Sequence, residues 1–152
     1  MANFSSFTFR WFCHFDDDNY VNVPALARKL RRFDSNEDWY LGKASVQQPL
    51  EVLDHRSADP KKKISFWFAT GGAGFCLSRP LAEKMRGLVT TEGFVDVGER
   101  IRLPDDVTLG FVAEHLLGVP LTRVDEFHSH LEALKLIPSD SFENQVRIKL
   151  IL

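Results

Sequence analysis

An aromatic run that ends in three consecutive aspartates is the feature of this sequence that most constrains its fold. Residues 10–15 are RWFCHF, and Asp16, Asp17 and Asp18 follow directly. A short aromatic segment of this kind is typical of a buried strand. Three adjacent carboxylates repel one another and cannot lie unpaired in a core. The sequence therefore predicts a buried strand whose end reaches solvent or a cation.

Helix and strand signals alternate along the rest of the chain. Asn22 is a typical N-cap residue, and an apolar helix face follows it. Pro80 begins a second short helix, and Pro104 precedes a third that Gly118 closes. This order of elements predicts an α/β fold. The predicted extended segments are 10–15, 39–42, 64–70, 74–78 and 119–130, whereas 45–63 is predicted to be a polar connector, 89–103 irregular and 131–152 weakly patterned.

Charge and hydropathy exclude two classes of partner. Nineteen basic residues against 21 acidic ones give a net charge of -2 and a pI of about 6.2, so there is no broad electrostatic attraction to nucleic acid. No run approaches the roughly 20 apolar residues that span a bilayer, and the first residues lack the apolar core of a signal peptide. Taken alone, these features favour a soluble cytosolic protein. Two cysteines fit either free thiols or one bridge, and Asn3 begins a glycosylation sequon.

The aspartate triplet is the strongest local indication of chemistry. Hard divalent cations prefer carboxylate oxygens, and ligands bind at the carboxyl ends of strands in open α/β sheets. A solvated turn or helix-capping acids explain the triplet equally simply. A calcium-binding EF-hand is excluded, because Tyr20 and Val21 stand where such a loop needs an oxygen ligand and a glycine.

Two further segments carry residues that suit a catalytic site. His128 and His130 are two apart and share one face of an extended segment, so one of them could bind a metal, although a structural histidine pair is as simple an explanation. Asp105 and Asp106 begin a helix, where acids stabilise the first turn. Capping explains one aspartate well, and the other could be a general base.

The glycine-rich segment 71–74 is either a tight turn or backbone that lines a sugar pocket. It lacks the third glycine of a dinucleotide-binding motif and the lysine of a phosphate-binding loop. The sequence also has no Gly-x-Ser-x-Gly and no His-Glu-x-x-His, so an α/β-hydrolase and a zinc protease are disfavoured.

Together these segments resemble the Fringe family of β-1,3-N-acetylglucosaminyltransferases. The resemblance covers roughly residues 10–146 and follows the family order. Related β-1,3-galactosyl and glucuronyl transferases share the acidic site and the glycine turn, but the last two blocks favour Fringe. The matching blocks are WFCHFDDDNYVN (11–22), FWFATGGAGFC (66–76), IRLPDD (101–106) and FHSHLE (127–132).

The resemblance implies a GT-A fold and a specific reaction. Family members transfer GlcNAc from UDP-GlcNAc in β-1,3 linkage to O-linked fucose on EGF repeats of Notch-type proteins, with inversion and with Mn²⁺. They modulate Notch signalling from the lumenal side of the Golgi membrane. The resemblance therefore implies a UDP-GlcNAc donor, a glycoprotein acceptor and a manganese cofactor for this chain.

The resemblance also assigns roles to individual residues. It implies that Asp18 and His130 are the protein ligands of the metal and that Asp17 contacts the nucleotide sugar. Asp106 would be the base that takes the proton of the fucose hydroxyl. Cys13 and Cys76 match a disulfide pair of the family, which suits an oxidising lumen.

The same comparison predicts a partial catalytic domain. On the blocks quoted above, residues 1–9 and 147–152 are expected to be unmatched, and 10–146 to be a partial catalytic region. The N-terminal nucleotide-binding half is therefore expected to be largely missing. Two alternatives to an active Fringe-type enzyme stay open at this point. One is a catalytically inactive truncated fragment, and the other is a related β-1,3-galactosyltransferase.

Overall fold

The computed structural model describes residues 9–17, 19–55, 57–59, 61–88, 90–129 and 138–149. In this part of the chain, strands and helices are mixed along the sequence, which confirms the predicted α/β fold class. Short 3₁₀ turns cover Gly71–Ala73 and Ser139–Asn144, and a π-helical segment covers Phe111–Leu116. The strands are β1 (Trp11–His14), β2 (Asn19–Val21), β3 (Tyr40–Gly42), β4 (Leu50–Leu53), β5 (Lys63–Phe66), β6 (Phe75–Ser78), β7 (Leu121–Arg123) and β8 (Arg147–Lys149), and the helices are α1 (Val23–Leu30), α2 (Arg79–Met85), α3 (Thr91–Ile101) and α4 (Asp105–Gly110).

Four strands form the central mixed sheet in the order β1-β6-β3-β7. β6 is antiparallel to both β1 and β3, whereas β3 and β7 are parallel. Two smaller pairings, β2 with β8 and β4 with β5, are both antiparallel. The ends of β1 and β7, which lead to the acidic triplet and to the histidines, therefore belong to the same sheet.

The central sheet separates two apolar clusters. Side chains of successive strand residues point to opposite faces. Tyr40 therefore packs into the larger cluster with α2, α3 and α4, and Leu41 into the smaller one with α1. Phe111 is buried in the larger cluster, and Phe127 and Val146 are buried in the smaller one. The residues that precede His128 are thus anchored in a core of their own.

β1 corrects the prediction of a buried strand at residues 10–15. Within the described residues it is the edge of the sheet and pairs only with β6. Phe12 is 36% exposed, and His14 is exposed as well. Aromatic composition fits any pleated surface, so it predicted the strand but not the number of its neighbours.

Cys13 and Cys76 form a disulfide. The two residues face each other in the antiparallel register of β1 and β6. The structure therefore contains the bridge that the family resemblance implied, and the bridge joins the strand that precedes the acidic triplet to the strand that follows the glycine turn.

The prediction that residues 45–63 form a polar connector is wrong, because they contain β4 and lead directly into β5. Val52 and Ile64 face each other in the register of this pair, and both are buried. Asp54 is only 4% exposed, and both of its carboxylate oxygens accept hydrogen bonds from Arg100, at 2.8 and 2.6 Å. Paired strands and an ion pair with α3 hold this segment against the helices.

The prediction that residues 89–103 are irregular is wrong, because α3 lies within them. The Thr90 hydroxyl oxygen accepts the Gly93 amide at 3.1 Å and caps the helix. Val97 and Ile101 lie one turn apart and are buried. Two glycines inside the helix weaken its sequence signal, since each is a poor helix former.

The helices marked by caps agree with the sequence predictions. The Asn22 side-chain oxygen accepts the Ala25 amide at 3.1 Å at the start of α1. Pro80 lies in the first turn of α2. α4 continues into the π-helical segment, and Gly118 follows with a positive φ of 70°. Among the described residues, no helix combines the length and apolar character needed to cross a membrane.

Candidate active site

The segment 67–71 links β5 to the glycine turn and is held along one edge by residues 43–45. The Ser45 amide donates to the Phe68 carbonyl at 3.1 Å, and the Thr70 amide donates to the Lys43 carbonyl at 3.0 Å. Ala44 and Ala69 form an isolated antiparallel bridge between these hydrogen bonds. The glycine turn is therefore reached by an extended segment of fixed direction.

Asp106 lies in the first turn of α4 and binds the glycine turn. Its Oδ2 accepts the Gly71 amide at 3.1 Å, and its Oδ1 accepts the Val107 amide at 2.9 Å. Asp106 is half-buried, whereas the neighbouring Asp105 is exposed. The sequence did not decide which of these two aspartates could be a general base. Asp106 is the one whose carboxylate is oriented by backbone donors.

The other end of the glycine turn packs against the end of β1. Gly74 has a φ of 80°, a left-handed conformation that side chains disfavour. A Cβ on Gly74 would lie 2.3 Å from Cδ1 of Phe15 and 2.8 Å from the His14 carbonyl oxygen. The glycine turn therefore joins the helix that carries Asp106 to the strand that leads to the acidic triplet.

Phe15 and Phe127 bring the remaining two segments together. Their rings stack with centroids 5.8 Å apart and an interplanar angle of 12°. Asp18 comes three residues after Phe15, and His130 comes three residues after Phe127. Three residues of extended chain span at most about 10 Å. Both predicted ligands lie outside the described residues, so the metal site stays a prediction, but the chain segments that lead to them are adjacent.

The described residues of the acidic triplet are exposed. Asp17 lies on a turn, and Asp16 Oδ1 is 3.2 Å from the His14 Nε2. Asn19, the residue after Asp18, has both side-chain amide atoms buried, and neither forms a hydrogen bond. Unpaired buried polar atoms are costly. The Asn19 amide, next to the predicted ligand Asp18, therefore has hydrogen-bonding capacity left for a further polar group.

His128 has a structural partner. Its Nε2 donates to Gln145 Oε1 at 2.6 Å, and Gln145 is only 8% exposed. The Gln145 amide group in turn donates to the Ser141 carbonyl and hydroxyl oxygens, both at 3.1 Å. One histidine of the pair thus links the segment after β7 to the 3₁₀ turn at 139–144.

The predicted donor set fits manganese. A carboxylate oxygen from Asp18 and an imidazole nitrogen from His130 are ligand types that Mn²⁺ accepts, and two protein ligands leave positions for phosphate oxygens. The described residues contain no group of three or more histidine, cysteine or acidic side chains that could hold a metal by itself.

Two residues of the site were missed in the sequence, Tyr40 and Glu114. The buried Tyr40 hydroxyl oxygen accepts the Ala69 amide at 2.8 Å. Glu114 accepts the Trp67 amide at 2.6 Å from the π-helical segment that follows α4. An acid two turns after Asp106, within the mainly apolar run 109–117, was the only sequence indication of this contact.

Glu126 and Lys29 form an ion pair that attaches α1 to the segment after β7. Burial, the largest single influence, raises the pKa of the Glu126 carboxyl. The hydrogen bond from Lys29, the backbone amide of Glu126 itself and the charges of Lys29 and Arg32 together outweigh burial and leave the pKa below its ordinary value. A carboxylate with a lowered folded-state pKa stabilises the fold above its unfolded-state pKa, and this contribution is lost as the pH falls through the folded-state value.

Glu126→Gln is therefore expected to lower the urea midpoint at pH 7. The difference from the parent protein should shrink as the pH falls below about 4, because the parent carboxyl then becomes protonated as well. Urea unfolding at pH 7, 5 and 3 measures this difference. The control is Glu83→Gln, which removes the charge of an exposed glutamate that pairs with Arg79 one helical turn away. A difference that is constant across this pH range would disprove the role of the Glu126 charge.

A family model described as Fringe-like matches residues 1–150 of the 152-residue chain. The chain belongs to the Fringe-like family. The Fringe-like chain is 58% identical over 138 residues to Fringe glycosyltransferase of Drosophila melanogaster, an alignment that covers 90% of the chain and 34% of that relative. It is 49% identical over 139 residues to β-1,3-N-acetylglucosaminyltransferase lunatic fringe of Homo sapiens, which covers 91% of the chain and 37% of the relative.

Radical fringe of Xenopus laevis, also named a β-1,3-N-acetylglucosaminyltransferase, is 45% identical over 139 residues, covering 91% of the Fringe-like chain and 41% of the relative. The chain thus spans between 34% and 41% of the length of these three relatives. The names of all three describe glycosyltransferases. This agrees with the mixed α/β fold of the described residues.

Proposed function

We propose that this chain carries the metal side and the catalytic base of an inverting glycosyltransferase. The enzyme transfers GlcNAc from UDP-GlcNAc in β-1,3 linkage to O-linked fucose on EGF repeats of Notch-type proteins. The observation that carries the proposal is the pair of hydrogen bonds that orient Asp106 beside the glycine turn. Membership of the Fringe-like family supports the choice of donor and acceptor.

Asp106 supplies the base that an inverting transfer needs. The acceptor hydroxyl oxygen attacks the anomeric carbon of GlcNAc while the bond between that carbon and the UDP oxygen breaks. The hydroxyl proton passes to the Asp106 carboxylate, and UDP leaves with the bonding electron pair. General-base catalysis of this type typically contributes about 10²–10⁴-fold in rate. One displacement with one base requires no nucleophile from the enzyme.

Asp18 and His130 would hold Mn²⁺ at the donor, and Asp17 would contact the nucleotide sugar. The bound ion supplies positive charge that offsets the negative charge developing on the UDP diphosphate. Asp17 is exposed at the end of β1, where a ligand can reach it. Gly71 and Gly72 carry no side chains between this end and Asp106, so the sugar would meet bare backbone there.

The proposed compartment is the Golgi lumen, on the lumenal side of the membrane. The Cys13–Cys76 disulfide supports this part of the proposal, because disulfides persist mainly in oxidising compartments. The proposed acceptor is an EGF repeat that already carries O-linked fucose, and transfer to it would modulate Notch signalling.

A transfer assay tests the proposed function. The protein at its full natural length is incubated with an O-fucosylated EGF repeat, and UDP-GlcNAc and UDP-Gal are compared as donors, with Mn²⁺ or with EDTA. We expect transfer from UDP-GlcNAc that requires Mn²⁺ and yields a β-1,3 linkage. A preference for UDP-Gal would replace the proposal by a galactosyltransferase, and no transfer from either donor would refute the enzymatic function.

A further inference from the structure

Three side-chain oxygens accept alternate backbone amides of the segment 67–71. Glu114 Oε2 accepts the Trp67 amide at 2.6 Å, the Tyr40 hydroxyl oxygen accepts the Ala69 amide at 2.8 Å, and Asp106 Oδ2 accepts the Gly71 amide at 3.1 Å. The intervening hydrogen bonds of the segment run to residues 43–45 on its other edge. The segment is thus paired with backbone on one edge and with side chains on the other.

The geometry of extended chain explains this arrangement. Alternate amides of a strand point to the same edge, and a buried amide without an acceptor costs about 1–3 kcal/mol. No backbone strand pairs with this edge in the described part of the chain. The three side-chain oxygens therefore take the place of a strand, and the predicted base Asp106 is the last acceptor in the row.

A glycine allows the helix to lie close enough for these contacts. Gly110 stands between Asp106 and Glu114, one turn from each. A Cβ at this position would lie 2.3 Å from Cβ of Phe68, 2.9 Å from its Cα and 3.0 Å from the Trp67 carbonyl oxygen. The helix backbone therefore rests directly on the segment, and two carboxylates on either side of the glycine reach its amides.

Glu114 also holds β7. Its second oxygen, Oε1, accepts the amide of Leu121, the first residue of β7, at 2.6 Å. β7 leads to Phe127 and the histidine pair. One carboxylate thus ties the base-bearing helix both to the strand that enters the glycine turn and to the strand that leads toward the predicted metal ligand His130.

Tyr40 remains a neutral hydroxyl under all ordinary conditions. Burial holds its pKa above the usual value for tyrosine, and the nearby carboxylates of Asp106 and Glu114 act in the same direction. Tyr40 lies on β3 in the centre of the sheet. Its position is therefore fixed by strand pairing, and the hydroxyl gives the segment a rigid central support.

We propose that Glu114 and Tyr40 are positioning residues for Asp106, which act through the segment 67–71. Neither side chain touches Asp106 through a hydrogen bond in the structure; each holds an amide on the strand that delivers the Gly71 N–H to the Asp106 carboxylate. Loss of either acceptor should move the Gly71 amide and with it the orientation of the carboxylate. The kinetic consequence of this inference rests on the proposed function, whereas the structural consequence does not.

Amide exchange measures the structural consequence without any assay of activity. Glu114→Met and Tyr40→Phe each remove the side-chain acceptor at nearly the same length. In both variants the Gly71 amide is expected to exchange at least about 10-fold faster, which corresponds to an opening that is easier by about 1.4 kcal/mol. The Leu26 amide in α1 should change less than twofold in both variants. Glu83→Met and Tyr20→Phe, which alter exposed side chains, are the controls.

Two exchange results would overturn the proposal. An unchanged Gly71 amide would show that the contacts do not reach the site, and equal acceleration at Gly71 and Leu26 would show a general loss of stability. Either result is independent of whether the protein transfers GlcNAc.

Kinetics with UDP-GlcNAc then separate positioning from donor binding. In Tyr40→Phe, kcat is expected to fall about 10-fold, since small displacements of a catalytic group are costly, while the Kd for UDP measured by calorimetry stays within twofold. A Kd that weakens as much as kcat falls would contradict positioning of the base. If the parent protein transfers no sugar, the proposed function fails and the exchange result alone decides the positioning role.

Discussion

Asp106→Asn is expected to reduce turnover of UDP-GlcNAc by about 10²–10⁴-fold, the usual contribution of a general base. Asparagine has nearly the same shape and keeps a side-chain oxygen that can accept the Gly71 amide, so the glycine turn should keep its place. The amide group cannot take the proton of the acceptor hydroxyl. The loss should therefore appear in kcat, while binding of UDP stays within about twofold, as for an interaction made only in the transition state.

Asp105→Asn is the matched control, because it makes the same chemical change one residue earlier at an exposed position. We expect its turnover to stay within about twofold of the parent protein, since single exposed substitutions have small effects. Initial rates and calorimetry on both variants provide the measurement. Equal losses at the two positions, or full turnover in Asp106→Asn, would rule out Asp106 as the base.

Gly110→Ala is expected to destabilise the protein by about 3 kcal/mol, the upper end of the usual cost of overpacking. The added methyl group would lie 2.3 Å from Cβ of Phe68 and 2.9 Å from its Cα. Backbone cannot move aside as a flexible side chain can, so the helix must shift away from the segment 67–71. Because Asp106 and Glu114 lie on this helix, the shift should also weaken their hydrogen bonds to the segment.

Gly98→Ala in α3 provides a control of opposite sign. Its Cβ would meet nothing within 4 Å, so alanine should stabilise the protein by about 0.5–1 kcal/mol through helix propensity. Urea unfolding of both variants measures the two effects. A Gly110→Ala protein as stable as the parent would show that the helix and the segment 67–71 do not pack as described.

Sequence patterns predicted the elements whose ends are marked by local signals such as caps, proline and glycine. Asn22 and Pro80 marked two helix starts, and Gly118 marked a helix end, because caps and proline act within one turn and can be recognised without tertiary structure. The strand at Tyr40–Gly42 was also predicted to within one residue. These predictions needed no knowledge of which elements pack together.

Elements that depend on distant partners were mispredicted. β4 is stabilised by pairing with β5, and α3 contains Gly93 and Gly98, so neither has a strong local pattern. Trp11 and Phe12 indicate a strand but not its place in the sheet, which depends on strands that are remote in sequence. The sequence therefore predicted correctly that β1 is a strand, but it predicted wrongly that this strand is buried.

Candidate chemical groups were easier to find in the sequence than the residues that support them. The two aspartates at the start of α4 stood out because capping explains only one of them, and the family resemblance selected Asp106 as the predicted base. Tyr40 and Glu114 could not be recognised, because their role depends on amides that are 29 and 47 residues away in sequence. Asp18 and His130 remain predictions that rest on the family motif.

Anomalous diffraction from Mn²⁺ tests the central claim most directly. Crystals of the protein at its full natural length are grown with UDP and Mn²⁺, and the manganese position is located from its anomalous signal. We predict a peak within about 2.3 Å of an Asp18 oxygen and of a His130 ring nitrogen, a bond length typical of such cations, with Asp106 still accepting the Gly71 amide. Manganese bound to UDP without either of these side chains would contradict the account.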